Sequence, residues 1–236
     1  MQNKTVIWLT IFSIAMGYME SAVVIYLRKI YYPGGFQFPL APIESGIALV
    51  EILREVATII MLLGIGILSA KTTALRFAHF IYCFAIWDLF YYIFLWLFLG
   101  WPESFFTWDI LFLIPVPWVG PVITPCIISL TMMLLALSIM HFHHSEFDIR
   151  LKVKEWVLLG IGSFIILVSF IWDYLKHIQE CKSSEIADSF FVEQNMLNEM
   201  KDYIPVEFNW ALFLAGQVLL LYGIITFINR MKQMNV

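Results

Sequence analysis

Six ionisable residues, Glu20, Glu51, Arg54, Glu55, Asp88 and Asp173, interrupt long apolar runs that otherwise read as lipid-facing. A charge at the centre of a bilayer costs about 3 kcal/mol, and it is tolerated where it faces a bundle interior or a water-filled cavity. Five carboxylates against one guanidinium leave a formal −4 if all six ionise and converge. A low-dielectric site relieves such an excess either by keeping carboxyls protonated or by holding a cation. The competing reading is that each acid has a local partner and only ties helices together.

The spacing narrows what these groups can do. Glu51, Arg54 and Glu55 stand at i, i+3 and i+4, which predicts pairing within one helix. Asp88 shares a helical face with Tyr92 one turn on, which predicts a phenol-to-carboxyl hydrogen bond. Ser13, Gly17 and Ser21 follow the small-xxx-small spacing of close helix contacts. Glu20 projects within about 20° of Ser13 on a helical wheel, so it is expected to point into such a contact. At about 1.5 Å of rise per residue, Glu51, Glu20, Glu55 and Asp88 lie roughly 8, 10, 13 and 16 Å from the same end of the bundle, with Asp173 close to the interface.

Carboxylates alone would suit a hard cation such as Ca²⁺, Mg²⁺ or Mn²⁺. Glu20, Glu51, Glu55 and Asp88 are the candidate metal ligands, although the spans contain none of the Glu-x-x-His pairs of di-metal bundles. His79 and His141 open and close consecutive, oppositely directed helices, so they reach similar depth and form a candidate haem pair. The simpler alternative is that His141 belongs to a titratable headgroup-level run, His141-Phe142-His143-His144. Cys83, Cys126 and Cys181 form no CxxC motif and no disulfide framework. There is no Walker loop, GxSxG, HExxH or dinucleotide fingerprint. The sequence thus carries no motif of a familiar soluble enzyme, and the cofactor stays open.

The elements that must position these residues follow from composition. Of 236 residues, 61% are hydrophobic, 17% aromatic and 14% charged, against about 25% charged in soluble domains; the mean hydropathy is +0.83. With 14 Lys+Arg against 18 Asp+Glu, the chain lacks the basic footprint of a nucleic-acid binder. The expected fold is all-α, a single-domain polytopic integral membrane protein. A span needs roughly 20 mostly apolar residues, and six stretches qualify: about 6–27, 46–68, 77–99, 118–140, 156–175 and 208–229. Lys4 ahead of Ser13-Ile14-Ala15 has the outline of a signal peptide with a cleavage site, but the first span is expected to be retained.

Between the third and fourth spans, residues 105–114 are apolar but too short to cross, and Pro102, Pro115 and Pro117 bracket them. They are expected to form a short interfacial or re-entrant segment. Pro115, Pro117, Pro121 and Pro125 would interrupt the start of the fourth helix, and Asp109 is placed to fold over the acidic cavity as a lid. The competing reading of this stretch is an aromatic interfacial anchor followed by a proline-started helix.

With six spans both termini share a side. That side carries eight basic residues, Lys4, Lys71, Arg76, Arg150, Lys152, Lys154, Arg230 and Lys232, against Arg28, Lys29, Lys176, Lys182 and Lys201 opposite. The positive-inside rule then makes both termini cytoplasmic. The outer loop 176–207 is long and acidic, and Ile186, Phe190, Leu197 and Met200 could form one side of a surface helix.

The functional expectation is an acidic pocket that binds or transports protons, a cation or a cationic small molecule. Its expected ligand-binding residues are Glu20, Glu51, Arg54 as counter-ion, Glu55, Asp88, Tyr92, Asp109 and Asp173. Two alternatives stand beside it. One is a non-catalytic subunit or assembly factor of a larger membrane complex, with partner subunits as well as the lipid bilayer at its surface. The other is an intramembrane carboxylate-based enzyme, with or without a metal, acting on a lipid-soluble substrate.

Overall fold

A computed structural model of the chain describes residues 2–114, 116–143, 150–184 and 202–234, with backbone alone for 2–3 and 180–184. Six α-helices and one β-hairpin make up the described part: α1 (Gln2–Tyr31), α2 (Ser45–Leu68), α3 (Thr73–Leu99), β1 (Trp108–Phe112), β2 (Trp118–Pro121), α4 (Ile123–Phe142), α5 (Val153–Ser184) and α6 (Trp210–Met234). Five of the helices, all but α2, are long and apolar enough to cross a membrane. This is the character of an integral membrane protein.

Why α2 differs is visible in its faces. At 24 residues it is about 36 Å long, enough to cross, but Glu51, Arg54 and Glu55 lower its apolarity. Its buried stripe is Ala48, Glu51, Glu55, Thr58, Leu62 and Gly66, while Leu53, Ile60 and Ile67 are exposed. The helix is polar inside and apolar outside, the reverse of a soluble amphipathic helix.

α3 is the hub and packs against α1, α2 and α4. Thr72 caps its start by accepting the Leu75 N–H, and Gly100, at φ +65°, ends it while donating to the Trp96 carbonyl. That left-handed turn is a common helix stop because glycine has no Cβ to clash. Against α1, a Cβ on Gly17 would lie 2.9 Å from the Trp87 carbonyl oxygen. Ser13 and Ser21 flank this contact, fully buried, with hydroxyls bonded to the Leu9 and Tyr18 carbonyls. The small-residue stripe therefore does what its spacing predicts. By contrast α2 leans on α3 and scarcely meets α1, which leaves a gap between the first two helices.

The segment expected to be interfacial or re-entrant is a hairpin instead. β1 and β2 pair antiparallel, Trp108 with Pro121, Asp109 with Gly120 and Ile110 with Val119, with an irregularity before Phe112 meets Trp118. Prolines in and around β2 exclude helix there, so α4 starts at Ile123, five residues later than the span boundary read from hydropathy. The far side of the molecule is the α5–α6 pair, which also contacts β2 and α4. α5 runs on helically through the first part of the expected outer loop, to Ser184. The amphipathic stretch proposed around Ile186 to Met200, and His144, lie outside the described residues.

Candidate functional site

The gap between α1 and α2 is a cavity of about 180 Å³, walled by α1, α2, α3, the α1–α2 connection and β1 with its following residue. Glu20, Glu51, Arg54, Glu55, Asp88, Tyr92 and Asp109 all line it. The α1 contribution, Glu20, Val24, Leu27, Arg28 and Tyr31, is a single face at i, i+4, i+7, i+8 and i+11. Six aromatic residues stand in the rest of the wall, among them Phe36, Trp87, Tyr91 and Phe112.

Charge is distributed unevenly. Arg54 bridges α2 to α1: its Nη1 pairs with Glu20 Oε1, while Nε and Nη2 hold Glu51 Oε2 at 2.9 and 2.8 Å. Thr58 adds a bond to Glu20 at 3.2 Å. The predicted helical pairing is thus half of the arrangement, and Glu20 faces the cavity rather than the α1–α3 seam. Arg28 Nη2 holds Asp109 Oδ1 at 3.0 Å, with its guanidinium carbon 3.6 Å from the Trp101 ring centre and 4.3 Å from that of Phe36. Two aromatic faces around a cation are favourable through the ring quadrupoles.

Among the described residues, Glu55 and Asp88 form no such salt bridge. Both oxygens of Glu55 accept the Leu113 backbone N–H, at 2.9 and 3.1 Å. Asp88 accepts the Ser129 hydroxyl at 2.7 Å. The phenol expected on Asp88 goes elsewhere: Tyr92 donates to Asp109 Oδ2 at 3.2 Å, because the hairpin brings Asp109 beneath it. Asp109 is accordingly a buried wall residue rather than a loose lid. Burial pushes its carboxyl above the usual carboxylate range, and Arg28 and its hydrogen bonds pull against that. In the α1–α2 connection, burial likewise raises the Tyr32 phenol, opposed by the Ala41 N–H it accepts and by Arg28.

Three expectations need correction. Asp173 does not line the cavity; it accepts from the Tyr203 hydroxyl at 2.8 Å and from the Val206 and Glu207 amides, fastening the chain before α6 to α5. Burial, then Asp173, pushes the Tyr203 phenol upward. The metal set of Glu20, Glu51, Glu55 and Asp88 does not gather: among the described residues no three His, Cys, Asp or Glu side chains form a metal-ligand group. Arg54 takes up two of the four, and Glu55 and Asp88 point to different backbone and hydroxyl partners. His79 and His141 present no shared haem slot. His79 is buried with Nδ1 at 2.7 Å from the Ser69 hydroxyl, whereas His141 is exposed with its ring against Phe142.

Arg28 is the residue the sequence reading passed over, as a loop charge in the topology count. Its signal was its phase, two turns beyond Glu20 on the cavity face. Trp101 and Phe36 carried no such signal, since chain turns far apart in sequence deliver them.

No protein-family model, curated protein or solved structure matches the chain. The site is therefore read on its own geometry.

Proposed function

We propose that the chain is a membrane protein that binds and moves a cation through this cavity, with α2 as a sixth span and both termini in the cytoplasm. The carrying observation is the imbalance in a single cavity: five carboxyls, Glu20, Glu51, Glu55, Asp88 and Asp109, face two guanidiniums, Arg28 and Arg54. Three of the carboxyls are tied to arginine. Glu55 and Asp88 are left to meet protons or a cation, and in low dielectric they attract either strongly. The inward polar stripe of α2 supports the sixth span, since it keeps every charge of that helix away from lipid.

The aromatic walls favour a small organic cation over a bare metal ion. A hard ion asks for six or more oxygens in close array, whereas an alkyl or aryl ammonium gains from ring faces as well as carboxylates. Here the carboxyls are dispersed and the rings are many.

The test is thermal stabilisation of the detergent-purified chain across pH, alkali and divalent ions, and a series of alkyl and aryl amines. Amines should raise the melting temperature in a saturable way, and Glu55→Gln or Asp88→Asn should weaken that at least tenfold. If no cation and no pH change stabilises the protein, the reading fails. Full cellular activity in both variants would point instead to the scaffold or complex-subunit role.

A further inference from the structure

A second, more polar cavity of about 340 Å³ lies against the first, and Arg28, Tyr32 and Phe36 line both. Lys29, Gln37, Trp101 and Glu103 belong to the second cavity alone, and the carboxyls Glu51, Glu55 and Asp88 to the first alone. The wall they share is thus Arg28, Tyr32 and Phe36, with the guanidinium held by Asp109 and sandwiched by Trp101 and Phe36. Tyr32 steadies the same wall by accepting the Ala41 N–H at 2.8 Å.

We propose that Arg28 is the gate between an outer vestibule and the acidic cavity, closed on Asp109 and opened by transfer of its guanidinium to Glu103. Three observations carry this. Arg28 is only 7% exposed and its Nη1 has no hydrogen-bond partner in the closed arrangement, so the closed state does not use the full donor set of the side chain. Glu103 supplies a carboxylate of the right charge on the vestibule side. Finally, Lys29 and Arg28 line the vestibule while Glu51, Glu55 and Asp88 line the inner cavity alone, so passage through the shared wall requires that the guanidinium move aside. Why a gate matters rests on the cation-binding reading above, but its existence is tested without any ligand.

The experiment uses the full chain in detergent, with Cys83→Ala, Cys126→Ala and Cys181→Ser as background and Ala48→Cys as reporter. Ala48 lines the inner cavity and is buried. Reaction with a trimethylammonium-ethyl methanethiosulfonate should be slow in this parent. Asp109→Asn and Arg28→Ala should each accelerate it at least tenfold, and Glu103→Gln should slow it several-fold by removing the open-state acceptor. Ala136→Cys, fully buried in α4 and outside both cavities, is the control and should stay unlabelled throughout. Should Asp109→Asn and Arg28→Ala fail to fold, Glu103→Gln, which is exposed and outside the closed ion pair, carries the test alone through its several-fold slowing. Parent-like rates in the gate variants overturn the proposal, and so does equal acceleration at the Ala136 reporter, which would mean general loosening. Absence of amine binding leaves these rates unaffected, so the two readings fail separately.

Discussion

The α5–α6 pair and the α1–α2–α3 cavity use the same kinds of residue to opposite ends. Between α5 and α6 the buried acid Glu155 is fully matched. Glu155 takes Arg230 in a two-pronged pair at 2.8 and 2.9 Å and reaches back to the Lys152 N–H at 2.7 Å, while Arg230 also donates to the Arg150 carbonyl. That is half of a capping box joined to an inter-helix clamp. Above it Gly162 and Gly216 face each other, each where a Cβ would approach the other's carbonyl oxygen to 2.9 Å or less. Around the cavity, α1 and α2 stay apart, carboxyls outnumber guanidiniums, and Arg28 Nη1 and the Trp87 indole N–H are buried without hydrogen-bond partners. One region has its buried charges and its volume matched, with the Gln217 Oε1 of α6 as an unpartnered polar atom; the other holds a charge deficit. A deficit in a low-dielectric site costs stability, and the proposed binding role is what would account for it.

The sharpest way to break this comparison is to unbalance the matched side. Arg230→Ala leaves Glu155, 1% exposed, without its cation, and should lower stability by about 3 kcal/mol, read as a large drop in melting temperature and a poor yield of monodisperse protein. A parent-like melt would mean the clamp is ornamental. Next, Gly216→Val should cost about 2 kcal/mol by overpacking, since its Cβ would stand 2.7 Å from the Gly162 oxygen and from Ile166. Gly160→Ala is the companion: nothing lies within 4 Å of that Cβ, so helix propensity alone should make it neutral or stabilising by up to about 1 kcal/mol. If the two variants melt alike, close packing is not what holds this pair. Smaller again, Asp173→Asn keeps shape but loses the charge that gathers Tyr203 and two amides. A loss of about 1 kcal/mol is expected, with no change in amine binding, because Asp173 stands outside the cavity.

How far the sequence reaches follows from the range of each interaction. Apolar length places the helices, and the small-residue stripe Ser13, Gly17, Ser21 finds its partner, because both signals are local to a single helix. Glu51 and Arg54 pair as their i, i+3 spacing requires. The depth count also puts Glu20, Glu51, Glu55 and Asp88 in one half of the bundle, and they line one cavity. What the sequence does not carry is long-range pairing: Arg28 with Asp109 across 81 residues, Asp88 with Ser129 across 41, Glu55 with the Leu113 amide across 58. The misassignment of Tyr92 has the same origin. Its face was read correctly, but the acceptor arrives on a hairpin whose proline-rich sequence gives no helical period to follow. Asp173 was grouped with the others by type alone, whereas its partners come from the chain leading into α6.

The smallest expected change in stability belongs to the residues expected to matter most for binding, and it completes the comparison. Glu55 has lost its hydration and gained one shared amide hydrogen; Asp88 has gained one hydroxyl. Replacing either by its amide removes an uncompensated negative charge while keeping an acceptor for that donor. Glu55→Gln and Asp88→Asn should therefore melt within about 1 kcal/mol of the parent, or above it, while losing amine-dependent stabilisation. In the matched region no polar substitution should show this split, because there every buried charge is bound to the fold. If Glu55→Gln instead destabilises as much as Arg230→Ala, Glu55 is a structural anchor of the hairpin through the Leu113 amide. The cavity's excess charge would then serve helix tethering. Stability and binding measured on the same sample decide between these, and only their separation, not the size of either alone, distinguishes a binding site from a clamp.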